Sequence, residues 1–215
     1  MQRSKVLSLD EVAKEWIPYR IDAVRGATWT MEMQTRVHGS EKMSISIRNK
    51  FEYDGYVGYF LQPMLEIGLV HARALLEFVG LYAKNGNLEQ INRRRPNDIA
   101  IEHYSVDGRQ LSMVTPTEIC SYIDMPDVVV LWSLVGIIEQ TNKNLAHVTT
   151  GEILNMAMHG QIRCALNALP DVIERCFYNE LRLENPANQN LNRWTAINID
   201  PKKNAQTSSS IHLIY

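Results

Sequence analysis

The run Phe60–Lys84, FLQPMLEIGLVHARALLEFVGLYAK, is the longest strongly apolar, helix-compatible stretch in the chain. At about 100° per residue, Gln62, Glu66, Arg73, Glu77 and Lys84 share one narrow stripe, and apolar residues fill the remaining circumference. A helix of this kind is buried on several sides, so the rest of the fold is expected to pack around it. Pro63 suits its first turn, and Gly80, Asn85 and Gly86 suit a frayed exit. Arg73 stands one turn before Glu77, the spacing of an ion pair. Recurring charges keep the apolar runs well short of the roughly 18 residues of a membrane span. His71 falls on the apolar side. It reads as a core imidazole satisfied by a carbonyl or carboxylate, or as a base or metal ligand facing an internal pocket.

A second apolar element follows Asp124-Met125-Pro126-Asp127, with Asp124 as the expected cap. Its body, VVVLWSLVGIIEQ, is expected to be buried against Phe60–Lys84. Two nearly all-apolar helices suggest a homo-oligomer as much as a monomer core.

Local signals place the other elements. Ser8 and Glu11 form a capping box, so a helix starts at Leu9. Pro18 is expected to kink or end it, and a second helix runs from Ile21 to about Val37. Met43, Ile45 and Ile47 alternate with polar residues as in a short strand. The aromatics Phe51, Tyr53, Tyr56, Tyr59 and Phe60 are core or interface residues, and could line a pocket or a dimer seam. Asp107-Gly108 signals a hairpin in which Val106 pairs with Arg109, Tyr104 with Leu111 and His103 with Ser112; the competing reading is a helix or loop over 98–104. Thr115–Glu118 opens a short helix through Tyr122. Thr149–Glu152 is another capping box, with a helix to about Ala168, and Pro170 begins a further one. WTAINI and IHLIY read as short terminal strands, the latter able to add to this domain or to a neighbouring subunit.

The candidate chemistry lies in three places. Asp98, Glu102 and His103 form the densest cluster of reactive side chains, and with His71 and Arg73 they make a candidate catalytic pocket. Solvated loop charge is the plainer account of that cluster. Arg93-Arg94-Arg95 could grip phosphate, although a run this short is more often a solvated loop. Glu152, Asn155, His159 and Arg163 form one helical stripe; if it faced the interior, His159 and Arg163 would bind an anion.

Other classes find no support. The net charge of −2 gives no global electrostatic case for nucleic acid. Cys120, Cys164 and Cys176 form no CxxC, which reads as reduced thiols in a cytoplasmic protein. The N-terminal stretch has no apolar signal core. Phosphate-loop, dinucleotide, zincin and nucleophile-elbow motifs are absent. No two histidines stand one helical turn apart, so no metal or cofactor is expected.

A helical bundle of this kind looks broadly like the HEPN-type RNA-cleaving proteins, whose signature is an arginine followed by four to six residues and a histidine. Arg95 and His103 come nearest and lie outside that spacing, so no residue role is carried over.

The sequence therefore predicts a mainly α protein: a multi-helix bundle around two buried apolar helices, with minor β elements near 98–114 and in the tail. Residues 1–190 form the helical domain and 191–215 an extension, partly mobile. The expected function is a binding or assembly module acting as a homo-oligomer, without a membrane. The alternatives are an enzyme using the His71, Arg73, Asp98, Glu102 and His103 pocket, or an RNA- or phosphate-binding protein using Arg93–Arg95.

Overall fold

The structure, a computed structural model, describes residues 7–47, 51–142, 159–189 and 209–211. The Ser8 hydroxyl accepts the Glu11 amide at 3.2 Å, and the Glu11 carboxylate accepts the Ser8 amide at 2.8 Å. Helix α1 (Leu9–Glu11) thus starts at the expected capping box. Pro18 does not end the helix. The chain passes through a π-helical segment, Val12–Trp16, straight into α2 (Ile17–Gln34). The Ile17 amide donates to the Val12 carbonyl, and Pro18 has no amide hydrogen. The Ala13 carbonyl is therefore left without a helical donor. Tyr178, fully buried, donates its hydroxyl to that carbonyl at 2.7 Å.

Strands β1 (Lys42–Ile47) and β2 (Phe51–Tyr56) pair antiparallel, with Lys42 opposite Tyr56 and Ile45 opposite Tyr53. Met43 and Ile45 are buried, as their alternation predicts. Helix α3 (Val57–Phe78) follows directly. It begins earlier than expected, so Pro63 lies inside it rather than in its first turn. Pro63 is exposed, and the carbonyl it cannot serve belongs to the equally exposed Tyr59.

Helix α3 also ends earlier, at Phe78 rather than Lys84. Gly80 has φ +102, a left-handed conformation that stops the helix. Residues Leu81–Lys84 instead form β3, paired with β4 (Asn87–Gln90). Asn85 and Gly86 both have positive φ, 53° and 77°, the requirement of a type I′ hairpin turn rather than a frayed helix end.

Strands β5 (Ser105–Val106) and β6 (Arg109–Gln110) form the predicted hairpin, with Val106 opposite Arg109. The Leu111 amide continues the pairing to the Tyr104 carbonyl at 2.9 Å. His103 is not paired with Ser112, because Ile101–His103 is a 3-10 turn. Helix α4 (Pro116–Tyr122) has its Thr115–Glu118 capping box. It meets α5 (Asp127–Gln140) at 108°. Pro126, not Asp124, occupies the α5 N-cap, and no side chain caps it. Helix α6 (His159–Ile173) runs through Pro170 into a second π-helical segment, Glu174–Asn179, so Pro170 starts no new helix.

The expected capping box at 149–152, the WTAINI strand and most of the extension lie outside the described residues. Ser209–Ile211 forms β7, parallel to β1. Among the described residues no single helix is long and apolar enough to cross a membrane.

The class is mainly α with minor β elements. Helices α2 and α3 make the most extensive helix pair. Ile21, Val24, Ala27 and Met31 of α2 share one core with Leu65, Leu69, Leu75 and Leu76 of α3 and with Ile162, Leu166, Leu169 and Phe177. Neither apolar helix is buried all round. Helix α3 leaves Tyr59 (74%), Ile67 (53%) and Val70 (44%) exposed, and α5 leaves Val128 and Trp132 exposed.

Replacing Tyr178 by Phe removes the donor and leaves the Ala13 carbonyl buried without a partner. The expected loss is about 1–3 kcal/mol of stability, read as a lower midpoint in urea unfolding with an unchanged slope.

Candidate functional site: an arginine-lined cleft

The loop after β4 is fixed at several points. The Ile91 amide donates to the Gly80 carbonyl at 2.7 Å. Arg94 then turns inward. Its guanidinium grips Glu102 through two bonds, Nε to Oε1 at 2.8 Å and Nη2 to Oε2 at 3.1 Å. Its Nη1 donates to the Glu77 carbonyl at 2.6 Å, at the end of α3. One arginine therefore caps a helix C-terminus and binds the Ile101–His103 turn to it. The next turn, Arg95-Pro96-Asn97-Asp98, is closed by the Asp98 amide on the Arg95 carbonyl at 3.1 Å. The Asp98 carboxylate accepts the Arg95 amide at 2.9 Å. Proline in the second position suits such a turn.

This loop faces a cleft of about 590 Å³. The opposite wall comes from the π-helical segment and the start of α2, with Val12, Trp16, Ile17 and Arg20. The floor comes from the last turns of α3 and from β3, with Arg73, Ala74, Glu77, Phe78 and Tyr82. The loop adds Ile91, Asn92, Arg93, Arg94, Arg95, Asn97, Asp98 and Ile99. Five guanidinium groups thus meet two carboxylates in one cleft of a chain whose net charge is −2.

The arginines differ in their commitments. Arg94 is held as described. Arg73 pairs with Glu77 at 2.8 Å, as the helical spacing predicts. Arg20 donates to the Trp16 carbonyl at 3.2 Å, and its guanidinium lies 5.0 Å from the Trp16 ring centroid. Burial pulls the Arg20 pKa below its ordinary value, but a guanidinium remains charged at neutral pH. Arg93 and Arg95 are exposed. Among the described residues no carboxylate pairs with either side chain. The Tyr82 hydroxyl donates to Glu89 at 2.8 Å.

The residues singled out from sequence separate. Arg73 and Asp98 line the cleft, and Asp98 there holds a turn. Glu102 is the partner of Arg94 and does not line it. His103 is exposed, and His71 is half-buried; neither is among the lining residues. His71 is not enclosed in the core but stands edge-on to Tyr19, ring centroids 5.0 Å apart. Burial and then the Arg20 charge lower its pKa. His159 and Arg163 begin α6, one turn apart and away from the cleft; burial and then Arg163 lower the His159 pKa. Glu152 and Asn155 of that stripe lie outside the described residues.

Trp16, Arg20, Tyr82, Asn92 and Asn97 were not singled out by the sequence reading. The available signals were an arginine one turn after a tryptophan and the Asn85-Gly86 turn, which places β3 beside the loop. Among the described residues the lining holds no histidine, cysteine, serine or lysine. Its two described carboxylates are bonded, Glu77 to Arg73 and Asp98 to the Arg95 amide, which leaves the Arg93 and Arg95 guanidinium groups as donors an anion could accept from. Among the described residues no three potential metal ligands come together. A smaller cleft of about 310 Å³ between α2 and α6 contains Arg25, whose guanidinium is taken up by the Ala187 carbonyl at 2.6 Å.

Comparison with protein-family models, with curated proteins and with solved structures finds no match to this chain.

Arg94→Ala strands the half-buried Glu102 and uncaps α3. It is expected to cost about 2–4 kcal/mol, seen as a lower melting temperature, with Arg94→Lys only partly restoring it because the bidentate grip is lost. Acidification acts through the histidines. Unfolded His71 and His159 take protons near the ordinary 6.5, and the folded chain takes them only at lower pH. Stability present above pH 6.5 is therefore lost as the pH falls below it. The melting temperature is expected to fall between about pH 7.5 and about pH 5.5, and less so in a His71→Gln/His159→Gln variant.

Proposed function

We propose that this protein is a binding module whose ligand carries phosphate, seated in the arginine-lined cleft. The observation that carries this reading is the gathering of Arg20, Arg73, Arg93, Arg94 and Arg95 around one cavity, with Arg93 and Arg95 exposed and unpaired with any carboxylate among the described residues. Guanidinium groups bind phosphate oxygens through charge-assisted, often bidentate hydrogen bonds. The loop that carries Arg93 and Arg95 is anchored at Ile91, Arg94 and Asp98, so its backbone is already in place when the anion arrives. Arg94 serves by position: anchored to Glu102 and to the end of α3, it sets the loop that presents its two neighbours.

A second reading, assembly with further copies of this chain, is favoured by a different observation. Tyr59, Ile67 and Val70, all exposed, fall by helical spacing on one apolar ridge of α3. The two readings are compatible, since the ridge residues do not line the cleft. Size-exclusion chromatography with light scattering reads the second: a species heavier than one chain that Ile67→Glu/Val70→Glu converts to a monomer supports it, and a monomer at all concentrations removes it.

The first reading is tested by calorimetric titration with sodium tripolyphosphate. Binding is expected, weakening as salt is raised from about 50 to about 200 mM. Arg93→Gln/Arg95→Gln is expected to lower affinity by about ten- to a hundredfold, from about 1.5–3 kcal/mol per charged hydrogen bond and incomplete additivity, without lowering the melting temperature. Absence of binding, or binding indifferent to the double substitution, would remove the reading.

A further inference from the structure

Phosphate alone does not account for the cleft. At about 590 Å³ it lies within the range of roughly 300–1,000 Å³ typical of small-molecule sites, and a bare anion would fill one corner of it. Its wall also carries an aromatic ring in a defined setting. Trp16 is 41% exposed, yet it lines the cleft, and the Arg20 guanidinium lies over its ring. A flat cation on an indole is a stacked pair that a third flat group can extend. The position of Trp16 is not left to the side chain. It is the last residue of the π-helical segment, and the Tyr178 hydroxyl holds that segment at Ala13. Asn92 and Asn97 stand exposed on the same lining. Each amide offers donors and an acceptor, which a phosphate does not need and a heterocyclic edge does.

We propose that the cleft takes a nucleotide, with its phosphates on Arg93 and Arg95 and its base stacked at Trp16. The base–phosphate chemistry is the same in a free nucleoside polyphosphate and in the phosphorylated end of a single strand. The inference rests on the phosphate-binding reading given above and adds the base to it. Trp16 is a ligand-contacting residue here, and Arg20 positions it.

The test compares three probes by calorimetric titration on the full chain: ATP, sodium tripolyphosphate, and a short 5′-phosphorylated oligoadenylate. The variants are Trp16→Leu, which keeps apolar bulk, and Trp16→Tyr, which keeps an aromatic face. ATP or the oligoadenylate is expected to bind at least about tenfold tighter than tripolyphosphate, the scale of one base stack. Trp16→Leu is expected to remove that advantage while leaving tripolyphosphate affinity and the melting temperature in place, and Trp16→Tyr to retain most of it. Tighter binding of the oligoadenylate than of ATP would identify a strand end, and the reverse a free nucleotide; both support the inference. Equal binding of ATP, oligoadenylate and tripolyphosphate, or equal weakening of all three in Trp16→Leu, would overturn it and leave a phosphate site without a base site. No binding of any probe would overturn both readings.

Discussion

The arrangement depends on how closely α2 and α3 cross. A Cβ built on Gly68 would stand 2.2 Å from the Ala27 Cβ and 2.7 Å from the Ala23 carbonyl oxygen. No larger residue fits that point without moving one helix. The approach brings the two backbones together and lets the flanking leucines, isoleucines and valines share one core. It also fixes direction. Ala27 meets Gly68, Tyr19 meets His71, and the start of α2 shares a cleft with the last turns of α3, so the helices run antiparallel. The cleft lies between the last turns of α3 and the entrance to α2, and the loop from Ile91 to Ile99 lines its other side.

Within that cleft the charges are sorted by position along one short run. Arg94 is spent on structure: its side chain is 14% exposed, against 21% for Glu102, and the pair closes over the carbonyl end of α3. Its neighbours Arg93 and Arg95 remain at the surface. An ion pair at this depth contributes modestly to net stability, because desolvation offsets much of the attraction. Its larger effect is geometric, since removing either partner would release the loop that holds the exposed arginines. The same three residues thus divide into one anchor and two presenters.

Elements whose information is local were legible in the sequence. The Ser8 and Thr115 capping boxes, the Asp107-Gly108 turn, the Met43–Ile45 alternation and the Arg73–Glu77 spacing all depend on residues within a few positions of one another, and all are present in the structure. What was not legible depends on distant partners. Pro18 reads as a kink or a stop because the donor for the carbonyl it frees lies on Tyr178, far along the chain. Asn85-Gly86 carries a hairpin signal, but Leu81–Lys84 is apolar enough to continue a helical wheel, and the two signals conflict. The arginine run was visible and Trp16 was visible. Nothing local joins them, because only the antiparallel crossing brings the first helix beside the ninety-to-hundred loop. His71 and His103 drew attention by residue type alone, and the fold brings neither into the cleft.

The bond from Tyr178 to Ala13 joins groups separated by 165 residues. Chains are made from the N-terminus, and contacts between distant residues form late because a long loop must close first. The wall that carries Trp16 is therefore made before its donor, which follows 165 residues later in the chain. A chain cut short before Glu174 would retain the five arginines of the cleft without the hydroxyl that holds the segment carrying Trp16.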